Sequence, residues 1–125
     1  MYRKIKYSAI ALLPGFAMAH EWTPTYPELR KSYVEGVNVT SMVLFNKRED
    51  VSYYEIEVYD EEWNPLPFAS AHKVFQINYL GTKKVDIYFR EEDDITYICT
   101  ASKSLKKDVK SSGIKSRICS KVKKE

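Results

Sequence analysis

The chain has 125 residues and a mass of 14.6 kDa, which is the size of one domain. Apolar residues make up 44% and charged residues 30%, a composition that excludes a disordered tail and a multi-span membrane protein. The formal net charge is only +3, and two cysteines permit one disulfide but cannot by themselves supply the four ligands of a structural zinc site.

Residues 1–19 have the three parts of a secretory signal peptide. A basic start at residues 3–6 precedes an apolar run at residues 8–16, and a small-residue site of the A-x-A kind follows at residues 17–19. The apolar run is shorter than the ~20 residues that span a bilayer. An uncleaved membrane anchor is the alternative. We predict export to the periplasm or the medium, and a single mature domain of residues 20–125 without stable membrane insertion.

Charge is divided along the mature chain. Residues 20–102 carry a net charge of −7 and the segment from Lys103 onward carries +7, so the two parts cancel. A basic segment suits nucleic acid or an anionic surface, but export argues against a nucleic-acid partner and favours a solubilising role. We expect the basic segment to interact with the acidic body, within the molecule or between copies. The second case predicts self-association that weakens as salt rises.

Short β-rich runs, separated by turn or charge clusters, follow one another along the mature chain. A weak helical window at residues 104–109 is the one exception, and a further strand near Tyr26 would be the seventh. The six predicted strands cover residues 37–45, 52–60, 74–80, 84–90, 95–101 and 114–122.

This pattern predicts an all-β protein with an immunoglobulin-like antiparallel β-sandwich of six or seven strands, for which a small barrel is the competing architecture. The run at residues 52–60 alternates most clearly, because apolar residues and polar residues occupy opposite faces. The predicted core consists of Val37, Val39, Val43, Phe45, Tyr54, Ile56, Val58, Phe75, Ile77, Val85, Ile87, Phe89, Tyr97 and Ile118.

Cys99 and Cys119 lie in the last two predicted strands. In an exported protein the expected arrangement is a disulfide between them, worth roughly 3 kcal/mol by the chain-entropy model. Two buried thiols or a redox pair are the alternatives, although redox chemistry favours the closer C-x-x-C spacing.

Residues that would support catalysis are scarce. His20 and His72 are the two side chains able to act as a base near neutral pH, and neither adjoins a nucleophile motif. We therefore predict no enzymatic activity, no cofactor and no metal site. A copper-binding periplasmic protein is an alternative, because cleavage after Ala19 would let the imidazole and the new α-amine of His20 chelate the metal, with His72 needed to complete the site.

The order of segments resembles the immunoglobulin-like N-terminal domain of periplasmic pilus chaperones, over about residues 23–122. The resemblance rests on Tyr33-Val34-Glu35-Gly36 before the strand at residues 37–40, on Leu44-Phe45-Asn46, and on the runs at residues 54–60, 75–87 and 116–119. It implies a sandwich that binds protein segments. The second domain of those chaperones is absent from this sequence, and the last strand lacks their long row of bulky apolar residues.

The expected function is therefore that of a binding or assembly module, chaperone-like in character, with a protein partner. Recognition would use a sheet edge or an aromatic patch formed by Tyr53, Tyr59 and Trp63. A structural component of an extracellular or virion-like assembly is the alternative that the sequence leaves open beside copper binding.

Overall fold

The computed structural model describes residues 20–103 and 115–124. Within these ranges the secondary-structure elements are all β-strands, and all strand pairs are antiparallel. The predicted signal peptide and the weak helical window at residues 104–109 lie outside the described residues. The strands are β1 (Glu21–Thr23), β2 (Arg30–Lys31), β3 (Val37–Phe45), β4 (Tyr53–Tyr59), β5 (Val74–Gln76), β6 (Thr82–Arg90), β7 (Tyr97–Ser102) and β8 (Arg117–Lys121).

The strands form two sheets around one hydrophobic core. In sheet I, β6 pairs with one side of β3 over its whole length, and the short strands β1 and β2 pair with the two ends of the other side. Sheet II has the order β5-β4-β7-β8. The predicted antiparallel β-sandwich is confirmed. It has eight strands instead of six or seven, because two short strands, β1 and β2, form on either side of Tyr26 in place of a single strand near it. No helix in the described ranges is long and apolar enough to cross a membrane.

The core lies between the sheets and is built from alternate residues of each strand. In β4, Tyr54, Ile56 and Val58 are buried, while the residues between them are half-buried on the other face. Side chains from both sheets therefore interdigitate in one cluster. It contains Trp22, Met42, Leu44, Tyr54, Ile56, Val58, Phe75, Ile77, Val85, Ile87, Phe89, Ile95, Ile98 and Val122.

The face of strand β3 that packs in the core is the opposite of the one predicted. Met42 and Leu44 are fully buried in the core, whereas Val43 is 37% exposed. The prediction for this strand was wrong because both of its faces carry apolar residues, so alternation alone does not say which face is covered. Pairing with β6 decides it, since Met42 lies opposite the buried Val85. The residues predicted for the core that lie on the outer face are Val37, Val39, Val43 and Phe45, of which Val39 alone is buried.

Candidate interaction surface

Three aromatic side chains meet on the outer face of sheet II, the face turned away from the core. Tyr59 in β4 and Tyr97 in β7 are directly opposite in the register, and Trp63 follows β4 in the chain. The ring of Trp63 stacks on Tyr97 with centroids 3.9 Å apart and planes 8° apart, and it lies 5.4 Å from the tilted ring of Tyr59. We call these three residues the aromatic cluster. Because Trp63 is 49% exposed, the cluster presents an apolar ring to solvent.

The turn at residues 60–64 holds Trp63 in this position. The Asp60 carboxylate accepts hydrogen bonds from the backbone N–H groups of Glu62 and Asn64, both at 2.9 Å, and from the Asn64 side-chain amide at 3.1 Å. Trp63 has a φ of 64°, in the left-handed region that an L-residue enters at a cost of about 1 kcal/mol or more. The bonds from Asn64 lower the pKa of Asp60, so this carboxylate is charged at neutral pH.

A charged network adjoins the aromatic cluster. Arg117 donates to the two carboxylate oxygens of Glu57 from Nε at 2.8 Å and from Nη2 at 3.3 Å, and the Tyr59 hydroxyl donates to the same carboxylate at 3.0 Å. Burial opposes ionisation of Glu57, but the hydrogen bonds from Arg117 and Tyr59 outweigh it and lower the pKa of Glu57. Burial and the bond to Glu57 raise the pKa of Tyr59. The network therefore fixes the Tyr59 ring from its hydroxyl end.

The predicted disulfide is present on the same face. Cys99 in β7 and Cys119 in β8 are directly opposite in the register, with their sulfur atoms 2.00 Å apart and their Cα atoms 4.0 Å apart. The bridge lies two residues from Tyr97 along β7 and joins β7 to β8. It therefore restrains the strand whose Tyr97 ring stacks on Trp63.

Of the three residues predicted to form an aromatic patch, the structure brings two together. Tyr59 and Trp63 belong to the cluster, whereas Tyr53 lies on the same outer face at the other end of β4. Tyr97, which was predicted for the core, is the third ring. Its run has apolar residues on both faces, so only pairing with β4 shows that Tyr97 lies outside, opposite Tyr59.

His20 lies at the opposite end of the sandwich and is buried, with 2% of its surface exposed. Its Nε2 lies 2.8 Å from the Thr100 hydroxyl and its Nδ1 lies 3.3 Å from the Ser116 hydroxyl. The ring also contacts Tyr54, with centroids 4.6 Å apart. Burial lowers the pKa of His20 to about 4, hydrogen bonding to Thr100 opposes this, and the nearby charge of Arg48 adds to it.

This environment does not favour the copper alternative. A metal ion bound at either ring nitrogen of His20 would displace one of the two hydroxyl groups. His72 is exposed in the segment before β5. Within residues 20–103 and 115–124, no group of three or more His, Cys, Asp or Glu side chains could hold a metal ion.

One edge of sheet II is only partly covered. The backbone N–H groups of Lys121 and Lys123 donate to the carbonyls of Thr25 and Pro27, at 3.0 and 2.8 Å, so the chain between β1 and β2 runs beside the end of β8. Nearer the start of β8, the outward backbone groups of residues 117 and 119 have no backbone partner in the described part of the chain. This stretch is therefore an unpaired strand edge within the described residues, with β1 packed nearby.

The division of charge along the chain corresponds to contacts within the molecule. Basic residues from Lys103 onward form four ion pairs with acidic residues of the body, at distances of 2.5–3.5 Å. Most of these side chains are substantially exposed, so each pair adds no more than about 1 kcal/mol. The intramolecular form of the expected interaction is therefore present, in the pairs Lys103–Glu55, Arg117–Glu57, Lys123–Glu28 and Lys124–Asp94.

Comparison with known proteins supports the fold. No family model matches the chain, and no curated protein matches it. The E. coli chaperone DraB has a TM-score of 0.62 at 14% identity, over 84% of this chain and 53% of DraB, so the chain spans about half the length of that protein. PapD-like domain 7 of human CEP192, an ASH/PapD-like domain, has a TM-score of 0.60 at 11% identity, over 97% of this chain and 94% of that one. The resemblance to the immunoglobulin-like domains of pilus chaperones is thus confirmed for the fold.

Proposed function

We propose that this protein is an exported, non-enzymatic binding or assembly module that recognises a protein partner through the aromatic cluster. The observation that carries the proposal is the half-exposed ring of Trp63, stacked flat on Tyr97 at 3.9 Å and supported by Tyr59. A monomeric protein gains no core burial from an indole in this position. Tryptophan and tyrosine are the residues that most often dominate binding energy at protein interfaces.

Pre-organisation strengthens this argument. The turn at residues 60–64 and the network of Glu57 and Arg117 fix the cluster before any partner arrives. A partner would therefore lose little free energy in ordering these side chains. The backbone of Trp63 has an energetically unfavourable conformation and its ring is half exposed, a combination that supports a functional role for this residue.

The unpaired edge of β8 is a second contact route for the same partner. Its backbone groups would bind an extended segment whatever the sequence of that segment, and the aromatic cluster on the outer face of the same sheet would add side-chain selectivity. The similarity of the fold to the E. coli chaperone DraB supports a chaperone-like character. The cross-strand disulfide supports export to the periplasm or the medium, where such bonds persist.

The test is capture of partners by the tagged protein, made from its full-length coding sequence and recovered from the exported fraction. Trp63→Ala removes the exposed ring, and Tyr88→Ala removes a ring of similar exposure, 38%, from the outer face of sheet I. We expect a partner to be retained by the native protein and by Tyr88→Ala, and to be reduced at least about tenfold by Trp63→Ala. Equal capture by all three proteins would exclude the cluster as the binding surface.

Sequencing of the N-terminus of the exported protein tests the other half of the proposal. A chain that begins at His20 supports signal cleavage after Ala19. A chain that retains residues 1–19, or that stays inside the cell, contradicts export.

A further inference from the structure

The chemistry around Trp63 indicates what kind of side chain the aromatic cluster would receive. One face of the indole lies on Tyr97 at 3.9 Å, and Trp63 is nevertheless 49% exposed, so the opposite face is the one turned to solvent. The face of an indole ring is electron-rich and attracts cations placed within about 6 Å of its centre. The exposed ring is therefore selective for positive charge as well as being apolar.

The charges beside the ring favour the same kind of ligand. Glu61 and Glu62 are exposed, and neither forms an ion pair with any described residue. Asp60 is ionised and accepts hydrogen bonds from the backbone of the turn. On the other side of the cluster, Lys121 lies opposite Tyr97 in the register. A cation would thus approach from the side of the turn, where the exposed Glu61 and Glu62 directly precede Trp63 in the chain.

We infer that the cluster receives an arginine side chain from an extended basic segment of the protein partner, with its guanidinium stacked on the open face of Trp63 beside Glu61 and Glu62. The inference rests on the proposed function, because it names the partner chemistry of that same surface. Arginine fits better than lysine, since its planar guanidinium is weakly hydrated and stacks on aromatic rings. The carboxylates add attraction that speeds encounter and that salt screens.

The experiment uses the two tryptophans of the chain as internal reporters. Trp22 is 3% exposed, and its indole N–H donates to the carbonyl of Ile98 at 2.9 Å, whereas Trp63 is on the surface. The full-length protein, labelled with ¹⁵N, is titrated with a short Gly-Ser peptide that carries three arginines. The matched peptide carries citrulline, which keeps the planar shape but has no charge.

We expect the arginine peptide to shift the indole signal of Trp63 in a saturable way and to leave that of Trp22 in place. The citrulline peptide should bind at least about tenfold more weakly, which is the factor that corresponds to 1.4 kcal/mol. Replacement of both acids, Glu61→Gln with Glu62→Gln, should weaken the arginine peptide severalfold and reduce its salt dependence. Glu49→Gln, an exposed acid before the other end of β4, is the matched control.

The outcomes separate this inference from the proposed function. Equal binding of the two peptides, with loss of both in Trp63→Ala, would overturn the selectivity for arginine while the cluster remained a binding surface. The inference would also be overturned if the Trp63 indole signal did not shift at the highest concentration of arginine peptide. The same holds if Glu49→Gln weakened binding as much as the double replacement does. The proposed function fails separately, when the native partner is captured equally well by Trp63→Ala.

Discussion

Acidification should destabilise the protein through the buried histidine at the end of the sandwich. His20 is enclosed by Thr100, Ser116 and Tyr54, and the positive charge of Arg48 lies nearby. A proton added to this imidazole would place a second cation in the same buried region. The folded state therefore binds the proton more weakly than the unfolded state does.

The size of the effect follows from the shift of the pKa. The pKa of His20 falls from the ordinary 6.5 to about 4 in the folded protein, which corresponds to about 3 kcal/mol. The pKa of His20 is lower in the folded state than in the unfolded state. Neutral His20 therefore contributes fully to the free energy of unfolding above about pH 6.5, and this contribution is lost as the pH falls toward 4. A domain with roughly 5–15 kcal/mol of stability would lose a substantial part of it.

Urea denaturation of the native protein and of His20→Asn, at several pH values from neutral to about pH 4, measures the contribution of His20 to the free energy of unfolding. Asparagine takes up no proton in this range, its amide can donate and accept hydrogen bonds, and at a chain terminus it does not cyclise as glutamine would. Carboxylates whose pKa is lowered, such as Asp50 and Glu57, also destabilise the fold on acidification, but they do so in both proteins. We expect the difference in unfolding free energy between the two proteins to change by about 3 kcal/mol over this range, in favour of the variant at low pH.

A difference that stays constant with pH would refute the reasoning, because it would mean that His20 takes up a proton equally well in the folded and unfolded states. The exposed His72→Asn is the control for the replacement itself, since this side chain lies outside the buried region. NMR titration of the His20 ring provides an independent measurement. An apparent pKa near the ordinary value would contradict the burial argument directly.

Three further predictions concern the core, the disulfide and the charges. In urea denaturation, Leu44→Ala should lower the free energy of unfolding by about 2–5 kcal/mol, because this side chain is buried. Val43→Ala should lower it by less than about 1 kcal/mol, because this side chain is on the outer face. Equal losses would contradict the assignment of the buried face of β3. Replacement of Cys99 and Cys119 by alanine should cost about 3 kcal/mol, since the bridge closes a 20-residue separation, and reductant should then have no further effect. Any self-association seen by sedimentation should weaken from low to physiological ionic strength, and salt-independent association would exclude a charge-driven contact.

Several features were readable in the sequence because they depend on neighbouring residues. The alternation of apolar and polar residues in β4 identified its buried face, since only one of its faces is apolar. The disulfide was predictable because the chain has only two cysteines and the predicted compartment is oxidising. Strands were predicted on both sides of Gly81 and both are present, but β5 ends at Gln76 and β6 begins at Thr82. The two strands do not form a hairpin, because β5 pairs with β4 in sheet II and β6 pairs with β3 in sheet I.

Other features became clear only from pairing between distant segments. Strand β3 is apolar on both faces, and its register with β6 decides that Met42 rather than Val43 enters the core. Tyr97 is outside because of its place opposite Tyr59, although the two residues are far apart in sequence.

Periodicity and composition are local properties, and they were enough to predict the class of fold, the positions of the long strands and the disulfide. Long-range packing was needed to show which face of each doubly apolar strand is covered, how Trp63 comes to lie on Tyr97, and that His20 is buried. Alternation along a strand defines two faces but does not say which one is buried. That choice is made by register and packing across the two sheets, which join residues that no local pattern connects.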